Sequence, residues 1–222
     1  MKHYSIAIDG PAASGKSTAG KGVSKVLNFT YLDTGSMYRC FTLHMLNKNM
    51  DCSSLSDAEE ALKDFNMDLK GEKIYLDGKD VSERIREMDV SSNVSEACKH
   101  KAVREKMVKI QQEFAKDHDV VMDGRDISTV VLPNATLKIY QVASVKARAT
   151  RRYEEMRNKG IEVSYEDIVK DIENRDRIDS TRENSPLTKS EDAILLDTSE
   201  MTIDDVINMI VSLFKMKAGE NE

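Results

Sequence analysis

Short apolar runs alternate with amphipathic stretches along this chain. Residues 4–8, 30–32, 120–122, 137–142 and 193–196 are brief and rich in apolar or β-branched side chains, the pattern of buried strands. Between them the period changes to that of a helix. Lys16–Leu27 places Ala19, Val23, Val26 and Leu27 on one face, and Ile203, Val206, Ile207, Ile210 and Phe214 recur at helical spacing near the end. Thr202-x-x-Asp205 is a capping box for that last helix, and Ser164-x-x-Asp167 opens another that leads toward Arg175. Strands alternating with helices predict a parallel sheet covered on both faces. Ligands of such sheets sit at the carboxyl ends of the strands.

One stretch departs from this rhythm. Residues 65–69 alternate at period two, 70–73 resemble a turn, and 74–81 return. This predicts a small antiparallel hairpin inserted in an α/β chain.

Composition narrows the field. The 222 residues suit one domain with insertions, and 40% hydrophobic with 32% charged residues is the balance of a globular protein. The net charge of −6 counts against a nucleic-acid partner. Cys40, Cys52 and Cys98 are odd in number and widely spaced, so neither disulfides nor zinc are expected. No apolar run approaches a membrane span and no signal peptide is legible, so a cytoplasmic, non-membrane protein is expected.

The strongest chemical signal is Gly10-Pro11-Ala12-Ala13-Ser14-Gly15-Lys16-Ser17, a full G-x-x-x-x-G-K-[ST] motif between a predicted strand and a predicted helix. Its two glycines let successive backbone N–H groups turn inward onto an anion. The helix that follows adds its positive end. Lys16 reaches the β- and γ-phosphates of a nucleoside triphosphate, and the Ser17 hydroxyl is placed to ligate Mg²⁺. Thr18 offers a competing hydroxyl, but Ser17 occupies the motif position.

Arginines cluster near the ends of the other strands. Asp33-Thr34-Gly35-Ser36-Met37-Tyr38-Arg39 follows the second strand and Asp123-Gly124-Arg125-Asp126 the third. Arg175, Asp179 and Arg182 share one helical face, and Arg148, Arg151, Arg152 and Arg157 follow the fourth strand. Transfer between two phosphates concentrates negative charge, and the planar guanidinium binds phosphate oxygens in bidentate fashion. Structure alone also accounts for several of these: 148–157 as a solvated face, Arg175/Asp179/Arg182 as surface pairs, Asp33 and Asp123 as turn caps.

Together the motifs resemble the bacterial-type cytidylate kinases, a family of nucleoside monophosphate kinases. The resemblance rests on Ile8-Asp9-Gly10-Pro11 with the P-loop, on Leu32–Arg39, on the run 123–131, and on Arg175-Asp176 through Asp179-Ser180-x-Arg182 with Ser185-Pro186-Leu187. It implies a single P-loop kinase domain over 1–222 with a five-stranded parallel sheet flanked by helices. It also implies an inserted antiparallel-sheet, monophosphate-binding subdomain at 63–96 and a short lid at 148–162. The implied reaction moves the γ-phosphate of ATP to CMP or dCMP with Mg²⁺. Fold and size permit a monomer, and no nucleic-acid or membrane partner is expected. Ser95, Arg104 and Asp126 are the positions implied to read cytosine, with Ser91 and Ser92 close enough that a helix N-cap explains any of the three serines. Arg39 and Arg125, assisted by Thr34, are implied to grip the acceptor phosphate, and Asp33 to fix the local turn. Arg175 and Asp179 would hold the sugar and phosphate, Arg182 the transferring group, and Arg151 and Arg152 ATP. Lys16, Arg125, Arg175 and Arg182 form the implied catalytic set. The rivals are a P-loop kinase of another small acceptor, a nucleotide-dependent regulatory or nucleic-acid-binding protein, and a non-enzymatic ATP-binding scaffold.

Overall fold

The computed structural model describes residues 3–71 and 73–219. Its strands are β1 (Ser5–Asp9), β2 (Thr30–Asp33), β3 (Met67–Lys70), β4 (Lys73–Leu76), β5 (Lys79–Asp80), β6 (Val120–Gly124), β7 (Leu137–Val142) and β8 (Ile194–Asp197). Its helices are α1 (Lys16–Leu27), α2 (Thr34–Asn47), α3 (Leu55–Leu62), α4 (Met88–Cys98), α5 (Lys101–Lys116), α6 (Val145–Asn158), α7 (Tyr165–Thr181) and α8 (Ile203–Ala218). The chain divides into two compact units, one of residues 32–117 and the other of the remainder.

The larger unit is built on a five-stranded sheet of order β2-β6-β1-β7-β8. β6, β1, β7 and β8 pair in parallel, Ile6 opposite Val121 and Leu137, and Ile139 opposite Ile194. The central β1 and β6 are buried on both faces, which is why their sequences are continuous apolar runs rather than alternating ones. Ile6, Ile8, Val121 and Ile139 pack with Ala19 and Val23 of α1 and with Val206, Ile210 and Phe214 of α8. Phe214 meets Tyr4 and Phe29 edge-on, at centroid distances of 5.5 and 5.3 Å. The predicted capping box is formed in full: Asp205 N–H donates to the Thr202 hydroxyl and Thr202 N–H to the Asp205 carboxylate. Val26 and Ile203, counted above among the apolar helical positions, are exposed: Val26 lies at the margin of the apolar stripe of α1, and Ile203 is the first residue of α8.

The smaller unit holds α2–α5 and a separate antiparallel sheet, β3-β4-β5. The expected two-stranded hairpin is therefore three-stranded. Asp77 and Gly78 both adopt positive φ, at 50° and 77°, and split 74–81 into two strands. An Asp-Gly pair is a turn signal strong enough to divide such a run.

Candidate active site

The glycine-rich loop joins β1 to α1. Gly10 sits at φ 155° where an added Cβ would stand 1.9 Å from the Gln141 carbonyl oxygen, so no side chain fits. Gly15 takes φ 88° as the N-cap of α1, which has neither a side-chain cap nor an acid in its first turn. Its first N–H groups thus face the loop without a built-in anion. From β7, Gln141 Nε2 donates to the Ser14 carbonyl at 2.6 Å.

Lys16 is buried, and its ammonium donates to the Pro11 carbonyl at 2.7 Å and to Ser14 Oγ at 3.3 Å. Burial, reinforced by the charge of Arg125, lowers its pKa to about 7, against the pull of Asp123, Asp179 and Asp9. The lysine of the phosphate cradle therefore shares one electrostatic environment with the arginine of the Asp123–Asp126 loop and with α7.

Ser17 Oγ donates to Asp123 Oδ2 at 2.9 Å, while the Tyr31 phenol donates to Asp123 Oδ1 at 2.6 Å. Asp123, read from sequence as a possible turn cap, faces the motif hydroxyl instead. A buried apolar strand ending in Asp was the signal available for it. A serine hydroxyl and a carboxylate side by side are hard oxygen donors of the kind Mg²⁺ takes, so the residues fit that ion. Thr18 is exposed.

The Asp123–Asp126 loop is anchored by a residue that sequence reasoning gave no role. Asp9, fully buried at the end of β1, accepts from Ile127 N–H at 2.8 Å, Ser128 N–H at 2.7 Å and Ser128 Oγ at 2.5 Å. Burial raises its pKa despite these donors. Beside it, Arg125 Nε donates to Asp179 Oδ2 at 2.7 Å, and Arg182 stands 3.7 Å from Asp179 and 4.0 Å from Asp126. Arg182 Nε also donates to the Ser185 carbonyl at 2.7 Å. Burial opposes ionisation of Asp179, but Arg125 and Arg182 more than offset it and lower its pKa. Arg175 is pushed the other way: burial and then Arg125 lower its pKa, and its Nε is buried with no hydrogen-bond partner among the described residues. Arg125, Asp126, Arg175, Asp179 and Arg182 are thus brought together.

The arginines of α6 separate into different roles. Arg148 is not on a solvated face. It is buried, and its guanidinium binds the Ala143 carbonyl at 3.0 Å, the Ala12 carbonyl at 2.9 Å and Asp176 at 2.6 Å. Asp176 in turn accepts from Ala12 N–H at 3.2 Å. The phosphate loop is therefore tied to α6 and α7 through one ion pair. Arg151 donates to the Thr198 carbonyl at 2.5 Å, Arg152 pairs with Glu155 at 2.9 Å, and Arg157 is exposed.

Within the smaller unit, Asp33 caps α2 by accepting from Ser36 N–H at 2.9 Å and Ser36 Oγ at 2.6 Å, as expected for a turn-fixing acid. Thr34, the first residue of α2, is buried. Arg39 donates to Ser91 Oγ at 2.7 Å. The buried Arg104 lies 5.2 Å from the Tyr38 ring centroid and donates to the Cys98 carbonyl at 3.3 Å. Ser91, Ser92 and Ser95 all lie inside α4, whose N-cap is Glu87, so the N-cap explanation of these serines fails. Ser95 stands one turn beyond Ser91 on the same helix.

The sequence model of the cytidylate kinases matches residues 6–216. The chain belongs to the cytidylate kinase family. A cytidylate kinase of Fusobacterium nucleatum is 49% identical over 95% of this chain and 96% of its own length. One of Bacillus subtilis is 47% identical over 98% and 99%. Among solved structures, a gluconokinase of Sinorhizobium meliloti superposes with a TM-score of 0.53 at 9% identity, over 98% of this chain and 94% of that one. At that identity only the fold is shared. As a cytidylate kinase, the chain is an ATP-dependent nucleoside monophosphate kinase with CMP as acceptor. Among the described residues no helix is long and apolar enough to cross a membrane.

Proposed function

We propose that this kinase moves the γ-phosphate of ATP onto CMP or dCMP by in-line transfer, with ATP held at residues 10–18 and Mg²⁺ at Ser17 and Asp123. The observation that carries this reading is the loop after β6: its Asp123 accepts from the P-loop Ser17 Oγ at 2.9 Å, and its Arg125 pairs at 2.7 Å with Asp179, which Arg182 also approaches at 3.7 Å. The cradle for a polyphosphate and an arginine cluster suited to a second phosphate are thus joined through one short loop. Mg²⁺, held by Ser17 and Asp123, would supply charge neutralisation for the transferring phosphate.

The chain's own residues do the rest. Lys16, Arg125, Arg175 and Arg182 offset the charge of the approaching phosphates. The buried, unpartnered Nε of Arg175 favours an anion or sugar hydroxyl there, beside Asp179. Arg39, with Thr34 and Arg125, grips the CMP phosphate, and Asp33 fixes the turn that presents Thr34 and Arg39. Asp126, Arg104 and Ser95 read cytosine, an acid for its amino group and donors for its acceptors. A phosphate monoester is already ionised near neutral pH, so no strong general base is needed and Asp126 and Asp179 serve binding. Residues 63–96 contribute the monophosphate-binding part and 148–162 the lid, with Arg151 and Arg152 toward ATP. The protein acts as a cytoplasmic monomer on small molecules.

The test is a coupled assay against CMP, dCMP, UMP and AMP. CMP is expected to give the highest kcat/KM. Asp126→Ala is expected to raise the KM for CMP about 10- to 100-fold, the loss of one charged hydrogen bond, and to relax base selectivity with little change in the KM for ATP. Unchanged selectivity in that variant would remove Asp126 from the base-reading set.

A further inference from the structure

Asp123 places its two carboxylate oxygens on different partners. Oδ2 accepts from Ser17 Oγ at 2.9 Å, on the side where the phosphate cradle begins. Oδ1 accepts from the Tyr31 phenol at 2.6 Å. Tyr31 comes from β2 and Asp123 from β6, neighbours in the sheet, so the distance between the two side chains is set by strand pairing rather than by a loop.

The tyrosine ring is itself held in place from α1. A Cβ added to Gly20 would lie 2.8 Å from Tyr31 Cε2 and 3.3 Å from Cδ2. Lys21 places its ammonium 5.8 Å from the ring centroid. Glycine inside a helix weakens it, yet Gly20 is a buried interior residue of α1. The ring requires that space. One turn of α1 therefore carries the motif hydroxyl, the glycine that admits the ring and the cation above it.

We propose that Tyr31 is a positioning residue for the Mg²⁺ site. Its phenol binds Oδ1 of Asp123 and fixes the carboxylate plane, so that Oδ2 points with Ser17 Oγ toward the metal of Mg·ATP. Outer-shell groups that orient a ligating carboxylate are worth about 10- to 100-fold in metal affinity. A half-buried phenol requires a partner for its own sake, but packing alone would make its loss equally felt with and without metal. The inference rests on Ser17 and Asp123 as the magnesium donors, and the experiment separates the two.

Dissociation constants of a non-hydrolysable ATP analogue are measured by calorimetry, with Mg²⁺ and with a chelator, for wild type, Tyr31→Phe, Gly20→Ala and Asp123→Asn. The quantity read is the factor by which Mg²⁺ tightens binding. Tyr31→Phe is expected to reduce that factor about 10-fold and to leave metal-free affinity within about two-fold. Gly20→Ala, which presses on the ring, is expected to act in the same direction, and Asp123→Asn to abolish the factor. Turnover of Tyr31→Phe is expected to need about 10-fold more Mg²⁺ for half-maximal rate. A wild-type factor in Tyr31→Phe alongside a lost one in Asp123→Asn would overturn the role of Tyr31 alone. An equal loss of affinity with and without Mg²⁺ in Tyr31→Phe would overturn it as well. A wild-type factor in Asp123→Asn would overturn the metal assignment beneath it.

Discussion

The ammonium of Lys16 is enclosed by its own loop, and its pKa of about 7 lies far below that of a free lysine because burial and Arg125 disfavour the charge. A bound polyphosphate restores the charge. At pH 8, binding of an ATP analogue is expected to take up close to one proton, and at pH 6 almost none. Calorimetry in buffers of different ionisation enthalpy measures that uptake. The same shift has a stability sign. Between about pH 7 and the ordinary lysine range the unfolded chain holds a proton that the folded one does not, so this group makes stability rise with pH across that window. In Lys16→Met that contribution to the slope is expected to vanish together with turnover. Asp9 is the second residue on which much depends. Asp9→Ala leaves two backbone N–H groups and the Ser128 hydroxyl without their acceptor, an expected loss of about 2–4 kcal/mol by denaturant titration.

At the scale of elements, the arrangement that matters is the attachment of the phosphate loop to α6 and α7. Ala12 offers its carbonyl to Arg148 and its N–H to Asp176, and those two side chains pair with each other. α7 also carries Arg175 and Asp179, but it ends at Thr181, so Arg182, expected on the same helical face, is instead its extended C-cap residue. Arg148→Ala strands Asp176 and two carbonyls, and is expected to cost about 3 kcal/mol and to raise the KM for ATP. A thermal melt and the split between the KM for ATP and that for CMP check this. Arg148→Lys keeps a charge but not the three-way fork, and is expected to fall between the two.

For the whole molecule, the core around Phe214 is remote in sequence from every phosphate-binding residue yet supports the strand that bears the cradle. Phe214 is buried against Tyr4, Phe29 and the β1 side chains. Phe214→Ala is expected to lower stability by about 3–5 kcal/mol and to leave the KM for CMP unchanged at temperatures where the variant is folded. Denaturation and steady-state kinetics separate these effects. A saturating ATP analogue at 100 times its Kd is expected to restore about 2.7 kcal/mol.

Sequence by itself determined the alternation of elements, the parallel sheet, the phosphate loop and the runs of arginine near strand ends. Each of these is written locally, in hydrophobic period, turn residues or motif spacing. Tertiary structure alone decided the pairings. Period two could not divide residues 74–81, because the break depends on the backbone of Asp77 and Gly78 adopting positive φ. Helical periodicity could not tell Arg148, which is buried, from Arg157, which is exposed, because both lie on one arginine-rich helix and only the neighbouring Ala12 and Asp176 distinguish them. Nor could it supply Asp9, Tyr31 or Asp123 with their roles: their partners lie more than ninety residues away, and only the order of strands in the sheet brings them within hydrogen-bond reach.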